Sequence, residues 1–137
     1  DYRAKISGPL MDRIDLHVEV SSLTENELLN APDGETSAQI RARVIRAREI
    51  QHRRFAGNPR VRCNARMESA EIRRFCEITA DAKTQLRHTI TEFGLSARAY
   101  DRILRVARTV ADLDGAEQIA SDHIFEAINY RSLDRRL

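Results

Sequence analysis

The stretch LSARAYDRILRVARTVADL, residues 95–113, decides the fold of this 137-residue chain. Its apolar side chains recur at intervals of three and four residues, which is the period of an amphipathic α-helix. They are Tyr100, Ile103, Leu104, Ala107, Val110 and Ala111. Ser96 precedes them at a position suited to an N-cap, so we predict a helix from there to about Leu113.

Four more segments carry helical signals. One is capped by Ser37 and runs to about Phe55, a second covers about 68–78, a third is capped by Asp81 and ends before Gly94, and a fourth starts at Ser121. The side chains expected to face inward are Ile40, Val44, Ala47, Ile72, Phe75, either Cys76 or Ile78, Leu86, Ile90, Ile124, Phe125, Ala127 and Ile128. Five helices with short connections predict a mainly α protein, built as a small helical bundle over 37–137.

Residues 1–36 have a different character. Residues 15–20 alternate polar and apolar side chains, which predicts one short strand, and residues 21–36 read as a loop or linker around Pro32 and Gly34. A single strand needs a partner for its backbone groups, so we expect this one to pair with a sheet outside the chain. The chain begins with neither Met nor an apolar signal segment, and we expect it to be a piece of a larger cytoplasmic protein.

Composition argues against several classes of function. No apolar run approaches the roughly 18 residues of a membrane span, so no membrane partner is predicted. Cys63 and Cys76 fit neither a CxxC metal pattern nor a disulfide framework, and Cys76 is expected to be a small buried side chain. The histidines His17, His52, His88 and His123 lie far apart in the sequence, and no metal site is predicted.

Residues 41–74 form a strongly basic block, in which eleven Arg face only three Glu. Such a block attracts phosphate or an acidic protein surface, although a solvated helix face explains it equally well. The candidate contacts to DNA or to a neighbouring subunit are Arg41, Arg43, Arg46, Arg48, Arg53 and Arg54.

Two other arginines invite a functional interpretation. Arg98 falls in the first turn of the predicted helix, where the helix dipole disfavours a cation by roughly 0.3–1 kcal/mol unless an anion approaches. Arg13 lies between Asp12 and Asp15, so local ion pairing explains it without a function. Arg105 and Arg108 differ from these two, because Asp101 and Asp112 stand at helical i, i+4 spacing to them.

Three stretches resemble one known family. They are ISGPLMDRIDL at 6–16, the stretch at 95–113 and EAINYR at 126–131. They resemble elements of the magnesium-chelatase-like AAA+ ATPases, in particular the ComM-type branch, although Met11 replaces the usual Leu. The resemblance implies that 1–36 is the end of an α/β ATPase domain plus linker, and that 37–137 is the C-terminal helical lid.

By position, the resemblance assigns Arg13 as the arginine finger and Arg98 as the sensor-2 arginine. It implies a full-length ATPase that uses ATP and Mg²⁺, contains its own N-terminal ATPase half and assembles into a homo-oligomeric ring, a hexamer, acting on DNA by branch migration or as a helicase. The chain contains no GxxxxGK[ST] loop and no Walker-B strand end. We therefore expect this piece alone neither to bind ATP tightly nor to hydrolyse it.

Two alternatives remain open. The first is the ATPase subunit of a true magnesium chelatase, which acts on a porphyrin-inserting partner. The second is a stand-alone helix-turn-helix module with helices at 81–92 and 96–113. Its DNA-recognition surface would consist of Arg98, Asp101, Arg102 and Arg105.

Overall fold

The computed structural model describes residues 8–11 and 13–131, and within these it contains seven α-helices and one short 3-10 helix. The helices are α1 (Gly8–Met11), α2 (Glu25–Asn30), α3 (Ser37–Arg54), α4 (Ser69–Phe75), α5 (Ala80–Phe93), α6 (Ala97–Asp114) and α7 (Ser121–Asn129), with the 3-10 turn at Asn64–Arg66. The predicted mainly α class is confirmed.

Helix α6 is the central element, as its periodicity indicates. It packs against α3, α4, α7 and the 3-10 turn, while α5 packs on α7. The Ser96 hydroxyl accepts the N–H of Ala99 at 3.2 Å, which confirms the predicted N-cap. Gly115 adopts a left-handed conformation (φ 72°) and ends the helix, a geometry that other residues adopt only with strain.

The core is built mainly from aliphatic side chains around α6. Its members are Phe55, Val61, Met67, Ile72, Cys76, Ala82, Leu86, Ile103, Leu104, Ala107, Ala111, Ile119, Ile124, Ala127 and Ile128. Phe55 and Phe75 meet edge to face with ring centroids 5.4 Å apart. Burying each larger side chain contributes about 1.5–3 kcal/mol, so this cluster gives the bundle a core of its own.

The caps of α3 and α5 lie one and two residues before the predicted ones. Thr36, and not Ser37, caps α3: its hydroxyl accepts the N–H of Gln39 at 3.2 Å, while the Gln39 side chain accepts the N–H of Thr36 at 2.9 Å. This reciprocal capping box satisfies two backbone donors at once, which Ser37 is not placed to do. Thr79, and not Asp81, caps α5.

Helix α4 ends at Phe75, three residues earlier than predicted. The backbone around Ile78 forms an isolated parallel bridge with Ile119 instead. Ile119 donates its N–H to the Glu77 carbonyl at 2.9 Å and accepts the N–H of Thr79 at 3.0 Å. A tertiary partner thus takes the groups that a longer helix would have used.

No strand forms over 15–20 in the described chain; because the sheet expected to pair with it lies outside this chain, the strand stays a prediction. Residues 16–20 belong to neither a helix nor a strand, because no neighbouring strand is there to pair with them; the N–H of His17 goes to the Tyr130 carbonyl at 2.6 Å. The predicted linker contains helix α2, which Thr24 and Glu27 cap reciprocally. The Thr-x-x-Glu spacing in the sequence would have revealed it.

Three side chains expected to face inward are exposed. Ile40 and Val44 are 45% and 40% exposed, whereas Ala47, further along the same stripe of α3, is buried. Only the second half of α3 is therefore covered by the bundle. Phe125 on α7 is 58% exposed. None of the described helices has the length and apolar character needed to cross a membrane.

Candidate phosphate-sensing site

Residues 13–15 lie against α6. The Arg102 guanidinium donates to the Arg13 carbonyl oxygen at 2.8 Å and to the Asp15 carboxylate at 2.5 Å. An ion pair with one half-exposed partner contributes at most about 1 kcal/mol, but two contacts from one guanidinium orient the segment. Arg102 is thus the side chain that positions the Arg13 backbone.

The C-terminal end of α7 holds the next residues of the same segment. Buried Arg131 donates from Nη1 to the Ile14 carbonyl at 3.2 Å, and buried His17 places a ring nitrogen 3.3 Å from the Met11 carbonyl. Together with the His17–Tyr130 backbone bond, these contacts bring the stretches 6–16, 95–113 and 126–131 together in the part of the chain that the structure describes.

The Arg13 side chain is exposed and makes no hydrogen bond or ion pair with any described residue. The carboxylate of Asp15, its nearest acidic neighbour among the described residues, is bound by Arg102. Asp12 lies outside the described residues. Ion pairing with Asp15 therefore does not explain Arg13, and no carboxylate among the described residues contacts its guanidinium.

Arg98 occupies the position that the sequence predicted. It is exposed in the first turn of α6, which contains no acidic residue, and it has no hydrogen-bonding or ionic partner among residues 8–11 and 13–131. Arg98 and Arg102 are i, i+4 neighbours on one face of α6. Arg98 therefore projects one helical turn from the residue that holds Arg13.

The exposed guanidinium groups of Arg13 and Arg98, and the N-terminus of α6, are each suited to an anion. Guanidinium binds phosphate in a bidentate manner, and the exposed N–H groups of the first helical turn attract negative charge. Neither Arg13 nor Arg98 is enclosed by the described part of the bundle, and both side chains are exposed.

A buried polar network centred on Asp112 holds α3 to α6. Arg54 donates from both terminal nitrogens to the Asp112 carboxylate, at 2.5 and 2.6 Å, and also to the side-chain oxygen of Asn64 at 2.8 Å. Asn64 in turn donates to Asp112 at 2.7 Å and to the Thr109 hydroxyl at 3.1 Å. Arg54 is therefore turned inward and does not share a surface with its exposed neighbours.

Arg108 approaches the same carboxylate from the other side. It is 2% exposed and donates to Asp112 at 3.2 Å, as its i, i+4 spacing predicted. Its remaining donors reach the carbonyl oxygens of Ala116 and Glu117 at 2.6 and 2.7 Å. Burial lowers the pKa of Arg108 and the neighbouring Asp112 carboxylate opposes that shift. Arg105 donates to the Met67 carbonyl at 2.8 Å, so it too has a tertiary role.

The other arginines of the basic block are displayed differently. Arg41, Arg46, Arg48 and Arg53 are exposed. Arg43 is half-buried and forms a two-pronged ion pair with Glu35, which lowers the pKa of that carboxyl.

The two cysteines should differ sharply in reactivity. Cys63 is half-exposed, whereas Cys76 is buried as predicted, and burial raises its pKa to about 11. In a Cys63→Ser variant we expect the remaining thiol to react with an aromatic disulfide reagent more than about a hundredfold more slowly than Cys63 does in Cys76→Ser, because only rare opening exposes it. Denaturant should abolish the difference, and equal rates in the folded proteins would contradict the assignment.

The raised pKa also has a consequence for stability. The unfolded thiol ionises near its ordinary value of 9.0, while the folded one holds its proton to about 11. The stabilising effect is complete below pH 9 and is lost as the pH rises toward 11, so the free energy of unfolding should fall across that window.

One group of potential metal ligands was missed from sequence. Atoms of Asp114, Asp122 and His123 lie within 4.8 Å of one another, because the end of α6 meets the start of α7. His123 Nδ1 accepts the N–H of Ala120 at 3.0 Å, so Nε2 carries the ring proton and donates to Asp114 at 3.1 Å. With both nitrogens engaged, His123 acts as part of the cap of α7.

Family comparison identifies the class of protein. The profile described as magnesium chelatase, subunit ChlI C-terminal, matches residues 34–131, and the profile for magnesium chelatase, subunit ChlI, matches residues 1–28. The chain therefore belongs to the magnesium chelatase family and is a magnesium-chelatase-like protein of the ComM type, which confirms the resemblance.

Individual relatives agree with this assignment. Over 137 residues, 99% of this chain, it is 45% identical to the competence protein ComM of Haemophilus influenzae. It is 42% and 39% identical to the uncharacterized YifB proteins of Salmonella typhimurium and Escherichia coli over the same length. In each case the match covers 26% of the relative, so the chain spans about a quarter of these proteins.

Proposed function

We propose that this chain is the sensor-2 lid, together with the arginine-finger segment, of an ATP-driven magnesium-chelatase-like motor. The observation that carries the proposal is the contact between Arg102 and residues 13–15. It ties the segment bearing Arg13 to the helix bearing Arg98 and leaves both guanidinium groups unpaired at the surface among the described residues. The boundary between residues 1–36 and 37–137 remains a prediction.

The chemistry follows from the charge of phosphoryl transfer. Negative charge spreads over the equatorial oxygens of the γ-phosphoryl group in the transition state, and a fixed guanidinium neutralises it. Arg13 fits that role because its backbone is held while its side chain is free. Arg98, at the start of a rigid helix, would bind the same phosphate. When that phosphate is released after hydrolysis, the lid that carries Arg98 would rotate.

ATP and Mg²⁺ would be held by the full-length protein. Bound beside the nucleotide, Mg²⁺ would supply positive charge that offsets the negative charge of the phosphate groups. The chain has no phosphate-binding loop, so its own contribution is limited to the two arginines. An arginine finger reaches the nucleotide of a neighbouring subunit, which is why we propose a homo-oligomeric ring, a hexamer, in the cytoplasm.

DNA is the proposed substrate, with branch migration or helicase activity as the work performed. Support comes from the 45% identical relative, which is named a competence protein, and from the exposed arginines of residues 41–74. A true magnesium chelatase subunit is the second candidate, favoured by the name of the matching family profile. Stimulation of ATP turnover by DNA, rather than by a porphyrin-inserting partner, distinguishes the two.

The helix-turn-helix alternative has lost its main support. Two of its four recognition side chains, Arg102 and Arg105, are bound to other parts of the molecule. Helix α6 also has no exposed residue between positions 99 and 112, so it presents no open face to a DNA groove.

Subunit mixing tests the proposed role of Arg13 directly. In the full-length protein, we expect Arg13→Ala subunits and subunits lacking the Walker-A lysine each to be inactive. Mixed rings should regain part of the ATPase activity, because an intact nucleotide site then meets an intact finger from its neighbour. Absence of any recovery, in mixtures shown by light scattering to form joint rings, would contradict action across the interface.

A further inference from the structure

The basic block 41–74 is divided by the fold into two surfaces of different chemistry. Its first part, on the uncovered half of α3, combines arginines with the exposed apolar side chains Ile40, Val44 and Ile45. Its second part lies at the other end of α3. We define the basic end as Arg53, Arg60, Arg62 and Arg74. Arg53 lies in the last turn of α3 and Arg60 directly follows the turn at residues 57–59, while Arg62 and Arg74 each line a cleft beside that turn.

The turn at residues 57–59 has a fixed backbone. The Asn58 side-chain oxygen accepts the N–H groups of Arg60 and Val61 at 2.9 and 3.0 Å. Val61 is buried in the core, and Gly57 adopts a positive φ of 80° that lets the chain reverse. Arg60 and Arg62 are therefore displayed from a fixed backbone.

A cleft opens on each side of this turn. One has a volume of about 490 Å³ and is lined by His52 and Arg62, and the other has about 460 Å³ and is lined by Arg74 and Glu71. Arg74 stacks 4.9 Å above the ring of Phe75, and Glu71 is engaged by the backbone N–H of Glu68 at 3.0 Å. Both clefts therefore present guanidinium groups to solvent.

Three of the four cations of the basic end make no polar contact with the described part of the molecule, and Arg74 contacts only the ring of Phe75. Arg53, Arg60 and Arg62 form no side-chain hydrogen bond or ion pair there. This separates them from Arg43, Arg54, Arg102 and Arg108, each of which is bound to a carboxylate. Charges left unpaired at one end of a domain attract an external anion.

The surroundings distinguish a nucleic acid from an acidic protein as that partner. No large hydrophobic residue between positions 46 and 92 is exposed in the described chain. Protein interfaces need such residues at their centre, whereas phosphate backbones need only fixed cations. The aromatic rings here, Phe55 and Phe75, are buried or half-buried, so they offer no free face for unpaired bases.

We propose that the basic end is a sequence-independent binding surface for the phosphate backbone of duplex nucleic acid. Two cationic clefts flank a rigid turn, as suits a backbone contact made without reading bases. The inference rests on the proposed function, since it names the part of the motor that contacts DNA. It leaves the first half of α3, with its exposed apolar side chains, for contacts with protein.

Binding of a short random-sequence DNA duplex to the full-length protein, followed by fluorescence anisotropy, tests the proposal. In Arg60→Ala/Arg62→Ala the affinity should fall, and the slope of log affinity against log salt should decrease by about 1.8 for two lost phosphate contacts. The loss of affinity between about 50 and 200 mM salt then becomes about tenfold smaller. Neither side chain supports the fold, and Arg53→Ala/Arg74→Ala provides an independent pair.

Lys83→Ala/Arg87→Ala is the matched control, because it also removes two exposed cations but on α5. It should keep the parental salt slope. The proposal is overturned if the control and the basic-end variants behave alike, if Arg41→Ala/Arg46→Ala alone loses duplex affinity, or if the basic end binds polyglutamate and not duplex. Failure of the motor assignment is seen separately, as unchanged DNA-free ATP turnover in Arg13→Ala.

Discussion

An Arg13→Ala substitution in the full-length protein should lower the kcat of ATP hydrolysis by about 10³–10⁵. The side chain is exposed and unpaired among the described residues, so its removal costs the fold little. What is lost is the neutralisation of charge that develops in the transition state. The KM for ATP should change much less than kcat, because the interaction is made mainly in the transition state. Steady-state release of phosphate measures both constants.

Two companion variants sharpen this prediction. Arg87→Ala removes an exposed arginine of α5 and should leave turnover within about twofold of the parent. Arg13→Lys keeps the charge but loses the planar fork, so it should recover only part of the rate. Arg98→Ala should also reduce turnover if sensor 2 contacts the same phosphate. Unchanged turnover in both Arg13→Ala and Arg98→Ala would show that the assigned roles are wrong.

Replacing Asp112 by Asn should lower the free energy of unfolding by about 3–5 kcal/mol. The side chain keeps its size, but the guanidinium groups of Arg54 and Arg108 lose the carboxylate that both contact. A buried cation that has lost its counter-charge strongly destabilises the folded state, even where the intact ion pair adds little to stability. Since whole domains are stable by only about 5–15 kcal/mol, the effect should be obvious.

Urea unfolding of this chain, followed by circular dichroism, measures the change, because the bundle has its own core. Glu49→Gln makes the same chemical change at an exposed position of α3 and should shift stability by less than about 0.5 kcal/mol. An Asp112→Asn effect no larger than that of Glu49→Gln would mean that Asn64 and the carbonyl oxygens around Arg108 suffice to hold both cations.

The sequence predicted the elements whose signals are local. The stripe on α6, its Ser96 cap and the exposed Arg98 in its first turn all follow from helical period and capping chemistry, and the structure has them as predicted. The same signals placed the glycine end of α5 at Gly94. Helix α2 was missed although Thr24 and Glu27 stand at capping-box spacing. The reason is that the turn residues Pro32 and Gly34 led us to predict a linker over all of 21–36.

Long-range contacts account for what the sequence could not provide. The early end of α4 depends on Ile119, and the inward turn of Arg54 depends on Asp112, which lies 58 positions away. A run of arginines looks the same whether its members face solvent or a buried carboxylate. The exposure of Ile40 and Val44 likewise shows that an apolar stripe predicts which face of a helix packs on the core. It does not predict how much of the length of that face the rest of the bundle covers.

By itself, the sequence determined the helical class, the family and the place of Arg98 in the first turn of α6, because these depend on motifs and on neighbours within a few turns of chain. Only the tertiary structure decided that Arg102 holds residues 13–15, and that the basic block separates into one surface with apolar side chains and one without. The physical reason is that burial and pairing depend on which groups from distant parts of the chain contact a side chain. The local periodicity of the sequence does not predict those contacts.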